Sequence, residues 1–301
     1  MEGNRIVIDQ DLCDGCGLCV TVCPTGTISL VGGKAAVSEA ESLSCGHCEA
    51  VCPHEAIRVA AIDEEMSRYA TFVADHRWLP PGSYSTSALV RLMASRRSCR
   101  CFTDQPVDRV MLEDLMKIGI TAPSGTNSQS WTFTILPTRK AVASLAGQIA
   151  LFFARLNTRA EKTMLRLFLK LMGRGELDAY YRCYYRKVKE ALEEWHGSGR
   201  DRLFHDSTAA ILVGSRAGAS CPAEDALLAT QNILLAAHSM GLGSCLIGYA
   251  VAAMKHNPSI RRSIGIPSEE EIHAVIALGH PGEVYQRVAG RKKVTPRYFE
   301  G

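Results

Sequence analysis

Seven cysteines near the N-terminus fall into two runs, and the second run lacks one thiol of the first. The first is Cys13, Cys16, Cys19 and Cys23, followed by Pro24; the second is Cys45, Cys48 and Cys52, followed by Pro53. A slide of 29 residues lays CGLCVTVCPTGTISL over CGHCEAVCPHEAIRV and puts Cys13 on Ser42. The repeat C-x2-C-x2-C-x3-C-P is therefore complete once and one ligand short once. Its spacing is a signature of iron–sulfur ligation, in which the fourth cysteine of each run serves the other cluster. A chain built this way carries electrons.

Soft thiolates suit iron–sulfur clusters, and two-residue gaps let one loop wrap three corners of a cluster. The proline fixes φ and has no N–H with which to continue a helix. Crossing the fourth ligands gives Cys13, Cys16, Cys19 and Cys52 to one cluster and Cys23, Cys45 and Cys48 to the other. Zinc usually takes paired C-x2-C motifs rather than triple runs closed by proline, and disulfides are rare in the cytosol. At Ser42 three readings stand: a three-iron cluster, a four-iron cluster completed by Ser42, Ser44, His47 or water, or a labile cluster. Softness favours four irons with an adapted fourth ligand. The other five cysteines (Cys99, Cys101, Cys183, Cys221 and Cys245) have no metal-site spacing.

A length of 301 residues suits about two domains. Residues 1–62 carry three basic and eight acidic side chains, a net of −5, so the remainder carries +8 of the overall +3. An acidic module beside a basic one fits internal docking and a phosphate-bearing cofactor. No stripe of Lys and Arg interleaved with aromatics argues for nucleic acid. The N-terminal MEGNRIVIDQDL has no signal-like apolar core, and no run reaches the ~18 apolar residues that span a bilayer. A cytoplasmic chain is expected.

The expected organisation is an iron–sulfur domain at 1–62, a linker at 63–85 marked by Pro-Pro-Gly-Ser, and a cofactor-binding domain at 86–301. Strands are expected at Arg5–Ile8, Ile57–Ala61, Thr132–Leu136, Ala209–Ser215 and Ile272–Leu278. Helices are expected from Thr86, over Asp108–Ile120, through much of 139–200, and over Ala223–Met240 with Gly241 as the C-cap. Strands and helices do not alternate regularly, so the fold class is α+β.

Three segments of the larger part look chemical. Arg96-Arg97-Ser98-Cys99-Arg100-Cys101-Phe102 can grip a phosphate through forked, charge-assisted hydrogen bonds, though many such runs are solvated turns. Ala122 to Trp131 is a polar loop, equally readable as an ordinary turn. In Gly241 to Tyr249, glycines let a backbone lie close to a planar ligand.

Taken in order, RRSCRCF, APSGTNSQSW, TQNILLAAHSMGLGSCLIG and LGHPGEVYQRVAGRKKV resemble the motifs of the flavin-dependent nitroreductase family over roughly 88–301. With residues 1–62, the whole resembles ferredoxin–nitroreductase fusions that carry a two-cluster ferredoxin-like domain. The chain departs from the pattern at Gly125, Ser130 and a helical insertion near 150–200, where the family varies its pocket. The resemblance implies a nitroreductase-like α+β domain with an antiparallel-rich sheet wrapped by helices, and an intertwined homodimer binding FMN at its interface. Arg96, Arg97, Ser98 and Arg100 would hold the FMN phosphate and ribityl chain, with Arg291 and Lys293 on the same phosphate. Pro123, Ser124, Gly125 and Asn127 would line the isoalloxazine, and Ile247 and Gly248 would approach its N5 edge through backbone. Flavin would perform the redox chemistry, so no catalytic side chain is assigned. Tyr249 and Trp131 are equally readable as pocket walls or as core.

The implied cofactors are FMN and two iron–sulfur clusters, [4Fe–4S] in type, the second alternatively [3Fe–4S] or with a non-cysteine ligand near Ser42. The implied activity reduces a nitroaromatic, quinone or similar small-molecule electron acceptor with electrons passed from clusters to FMN, supplied by an external ferredoxin or flavodoxin. Two alternatives are NAD(P)H reducing FMN with electrons leaving through the clusters, and an iron–sulfur sensor without turnover.

Overall fold

In the computed structural model, which describes residues 6–38 and 40–301, the 29-residue repeat survives in the backbone. The N-terminal part contains β1 (Ile6–Ile8), α1 (Leu18–Val22), β2 (Ile28–Val31), β3 (Lys34–Val37), α2 (His47–Val51) and β4 (Ile57–Val59). β1 pairs antiparallel with β4 and β2 with β3, so each ribbon brackets the cysteine loops. Gly17 precedes α1 at φ 75° and Gly46 precedes α2 at φ 74°. Cys23 and Cys52 end those helices at φ −78° and −76°. A small core of Ile6, Ile28, Ala35, Ile57 and Val59 packs against Cys19 and Cys48. The strand expected from Arg5 begins its described part at Ile6; Arg5 itself lies outside the described residues.

The segment after the module is held to the larger domain. Lys117 Nζ donates to the carbonyls of Glu65 and Arg68. The buried Asp114 carboxylate accepts from the backbone N–H groups of Ala70 and Thr71 and from the Thr71 hydroxyl, at 2.6–3.0 Å.

The larger domain runs α3 (Thr86–Ser95), α4 (Arg109–Gly119), β5 (Trp131–Leu136), α5 (Arg139–Ala160), α6 (Thr163–Leu171), α7 (Glu176–Cys183), α8 (Tyr185–Ser198), β6 (Ala209–Ser215), α9 (Pro222–Ser239), β7 (Gly243–Leu246), α10 (Gly248–His256), α11 (Pro258–Ser263) and β8 (Glu271–Gly279). An antiparallel sheet of order β5-β6-β8-β7 lies between helical layers, an α+β fold. Successive residues of a strand point to opposite faces, and β6 shows this cleanly. Ala210 and Leu212 join α5 and α10 in one core; Ala209, Ile211 and Val213 join α4 and α9 in the other. Both faces are covered, which explains an unbroken apolar run in an antiparallel strand.

α9 starts with Pro222 at a position that suits proline. It ends at Gly241, whose φ of 81° lets Leu242 N–H return to Ala237 O. β7, read from sequence as part of a glycine-rich loop, is instead an edge strand. Gly243 is required there by packing: a Cβ would stand 2.7 Å from Cys99 Sγ. Helices α5 to α8 form the insertion expected near 150–200.

Candidate iron–sulfur and cofactor sites

Cys13, Cys16, Cys19 and Cys52 line one small cavity. Ala35 N–H points at Cys13 Sγ at 3.5 Å and Ala56 N–H at Cys52 Sγ at 3.3 Å. Such bonds tune cluster potentials. Burial pushes the Cys19 thiol up, and nearby Cys13 and Cys16 add to the rise. In the second set, burial likewise raises Cys48, with Cys45 and Cys23 close enough to contribute. Cys23 is opposite in sign: burial works against its thiolate, yet the Thr25 hydroxyl and backbone N–H groups around it pull the thiol down to about 7. Ser42 Oγ accepts from Ser44 N–H at 3.0 Å. His47 is exposed at the start of α2.

A second site lies at the C-terminal end of α9. Ser98 bridges Ser244 of β7, and Cys99 N–H donates to Ser244 O at 2.9 Å. Gly282 N–H donates to Cys101 O, which draws the start of the C-terminal segment to the arginine run. These elements frame a cleft of about 470 Å³ lined by Arg91, Arg96, Arg97, His238, Ser244 and Tyr285, among others. Burial lowers the Arg96 guanidinium from its usual value, and the charges of Arg97 and Arg291 lower it further. Among the described residues, none of these three guanidiniums pairs with a carboxylate. The Ser244 hydroxyl is buried without a hydrogen-bond partner. Clustered cations and an orphaned hydroxyl call for an anion, and phosphate fits both.

Arg100 is exposed and lies near Cys245. Lys293 sits in the exposed tail, two residues beyond Arg291. Ile247 is buried, its N–H donating to Val275 O; Gly248 is exposed at the start of α10, with open space where a Cβ would be.

The loop Pro123 to Asn127 lies elsewhere. Asp225, in the first turn of α9, accepts from Gly125 N–H at 2.9 Å and from the Ser128 hydroxyl at 3.3 Å. Its carbonyl accepts from Trp131 Nε1, so Trp131 belongs to the core rather than to a pocket wall. Gly125 packs tightly on Cys221, where a Cβ would meet Sγ at 3.0 Å. Asp225 and His238 are 13 residues apart on α9, about 20 Å at the α-helical rise. Within one chain the loop and the arginine cleft are thus at opposite ends of that helix.

Asn127 does not present a free amide to a flavin within its own chain. Its Nδ2 donates to the carbonyls of Leu43 (3.0 Å) and Ser44 (3.2 Å), and its Oδ1 accepts from Gln129 Nε2. Tyr249, half-exposed, borders an apolar cavity of about 210 Å³ shared with Phe153 of α5 and Trp195 of α8. Its ring meets those of Phe153 and Tyr184 edge-on. The sequence points to Ser244 only as part of the Gly241 to Tyr249 segment and does not single out Asp225. An acid in a helix's first turn was legible as dipole compensation, but nothing marked its bond to a loop 100 residues away.

Residues 93–280 match the model of the nitroreductase family, and residues 6–29 that of the 4Fe-4S binding domain. An iodotyrosine deiodinase of Thermotoga neapolitana is 28% identical over 213 residues, covering 70% of this chain and 97% of the relative. An NADH dehydrogenase of Thermus thermophilus is 25% identical over 68% of this chain and 90% of its own length. Among solved structures, a nitroreductase with bound FMN from Bacteroides fragilis superposes with a TM-score of 0.50 at 19% identity, over 70% of this chain and 98% of that one. That likeness concerns the fold. No helix among the described residues is long and apolar enough to cross a membrane.

Proposed function

The chain belongs to the nitroreductase family and carries a 4Fe-4S binding domain ahead of it, and from that premise we propose that it is an FMN- and iron–sulfur-dependent oxidoreductase delivering electrons to a small electrophilic acceptor. The observation that carries the flavin reading is the cleft lined by Arg91, Arg96, Arg97 and Arg287 against the single carboxylate of Glu283, with the charge of Arg291 felt at Arg96 and a partnerless Ser244 hydroxyl beside them. Arg96, Arg97, Ser98 and Arg100, with Arg291 and Lys293, hold the phosphate end. Gly248, exposed and open at the start of α10, offers backbone to the ring system, while the Ile247 N–H and carbonyl are engaged by Val275 and Ala250. Bound FMN supplies storage of two electrons and their delivery to an acceptor. The two thiol sets hold clusters that supply one-electron exchange. The aromatic wall of Tyr249, Phe153 and Tyr184 suits a flat acceptor of the nitroaromatic or quinone class.

The site takes two copies of the chain. The loop Pro123 to Gly125 cannot share one flavin with the arginine cleft about 20 Å along α9 in its own chain; the loop of a second copy supplies that wall. Uncovered apolar side chains support the pairing. α3 buries none of its residues, Leu227 and Leu228 of α9 are half-exposed, and Val294, Tyr298 and Phe299 project from the tail. Exposed apolar side chains of this kind suit an interface.

Anaerobic reconstitution followed by visible spectroscopy tests the reading. Bound FMN, two clusters per chain, bleaching of the flavin by dithionite-reduced ferredoxin, and turnover of a nitroaromatic or quinone are expected. A chain that binds no FMN, or a bound flavin that does not bleach, refutes it. The name of the Thermus relative favours NADH as an alternative reductant; stopped-flow reduction by NADH against reduced ferredoxin separates the two.

A further inference from the structure

The two thiol sets stand differently toward the flavin domain. Leu43 and Ser44, whose carbonyls accept from Asn127, immediately precede Cys45. The same contact gathers four non-glycine residues in left-handed backbone: Ser44 (φ 50°), Thr126 (51°), Asn127 (53°) and Gln129 (45°). Such conformations persist where the surroundings over-determine them, and they cluster at functional sites. The flavin-side loop is in turn pinned by Asp225 to the N-terminal end of α9. The first set's cavity is bordered instead by the exposed pair Asp14 and His54, 3.0 Å apart.

We propose that the Cys23, Cys45 and Cys48 set is the one that faces the flavin, that Asn127 is the positioning residue clamping its loop there, and that the flavin it faces is the one gripped by the arginine cleft of the second copy. This rests on the two-copy flavin site proposed above. The loop touching Cys45's own segment lies far from its own chain's arginine cleft, so the flavin it lines is the other copy's. Each transfer removes one electron from the reduced cluster; two transfers and two protons from water complete reduction of the flavin. An external one-electron donor of the ferredoxin class re-reduces the clusters.

Mixed dimers of full-length, differently tagged chains test this. In the first, one copy carries Arg96→Ala/Arg97→Ala and the other Cys45→Ala/Cys48→Ala. In the second, all four substitutions are in one copy and the other is native. FMN and iron are quantified first; bound flavin is then bleached anaerobically with dithionite-reduced ferredoxin. The expected result is about one FMN in each dimer, with native bleaching in the first and at least tenfold slower bleaching in the second. The reverse pattern, or equal rates, overturns the route across the dimer while leaving the flavin site standing. A first dimer without FMN overturns the two-copy site and the proposal with it. For Asn127, Asn127→Ala should slow bleaching about tenfold at unchanged FMN and iron content, with faster amide exchange over residues 43–48. It should change nothing in the Cys45→Ala/Cys48→Ala background. The same slowing in both backgrounds overturns the positioning role.

Discussion

The two cysteine runs share a backbone and differ in what they present. Position 15 of the first run corresponds to position 44 of the second, and both residues adopt positive φ. Gly15 does so beneath a neighbouring strand turn, where a Cβ would lie 1.8 Å from Gly33 O. Ser44 does so at the cost a side chain incurs there, with its carbonyl on Asn127. The first run keeps four thiols and an outward rim; the second gave up a thiol at Ser42 and gained a partner across the domain boundary. A repeat fixes how both loops fold, and departures from it mark where the copies acquired separate tasks.

The comparison can be broken in several ways. Gly15→Ala meets backbone and forbidden φ together, so a loss of about 4 kcal/mol or more in the stability of the N-terminal module is expected. Denaturation followed by cluster absorbance measures it; a mild effect would mean the first loop is not built around that approach. Asp114→Asn should cost about 2 kcal/mol, because donors that faced a carboxylate would face an amide. Burial opposes the charge on Asp114, but the Thr71 hydroxyl, the Ala70 and Thr71 N–H groups and nearby Lys117 hold its carboxyl below the usual range. Its folded value is depressed, so its stabilisation is complete above about pH 4, the unfolded value, and fades as pH falls through the folded one. Urea midpoints should therefore drop with acid below pH 4 more steeply in the native chain than in Asp114→Asn.

Ser44→Gly removes the left-handed penalty and should stabilise the module by about 1 kcal/mol. A destabilisation would show that the side chain's own contacts outweigh backbone strain. The smallest energetic effect, with a distinct spectral one, is expected of Ser42→Cys. Completing the second thiol set should alter its low-temperature magnetic resonance signal and slow iron loss to a chelator. An unchanged signal would mean that the missing thiol has no bearing on the cluster.

Much of this was legible in the sequence. Apolar runs gave β6, β8 and α9 nearly to their ends. β7 was not legible, because a four-residue strand containing glycine looks like a loop; what marks its role is Cys99 packed against Gly243. The arginine run was readable as a phosphate grip, but its convergence with Arg291 depends on how the tail returns past Phe102. Asn127 looked like a flavin-lining amide, and its hold on Leu43 and Ser44, more than 80 positions earlier, followed from no local pattern.

The length of α9 has one more consequence. Because it parts the loop from the arginine cleft, the two-copy site proposed above would leave a newly made chain unable to close its own binding site, and cofactor capture would become second order in protein. Flavin retention would then act as a roll-call of paired subunits: solitary chains would carry their clusters without flavin, and only assembled ones would gain it.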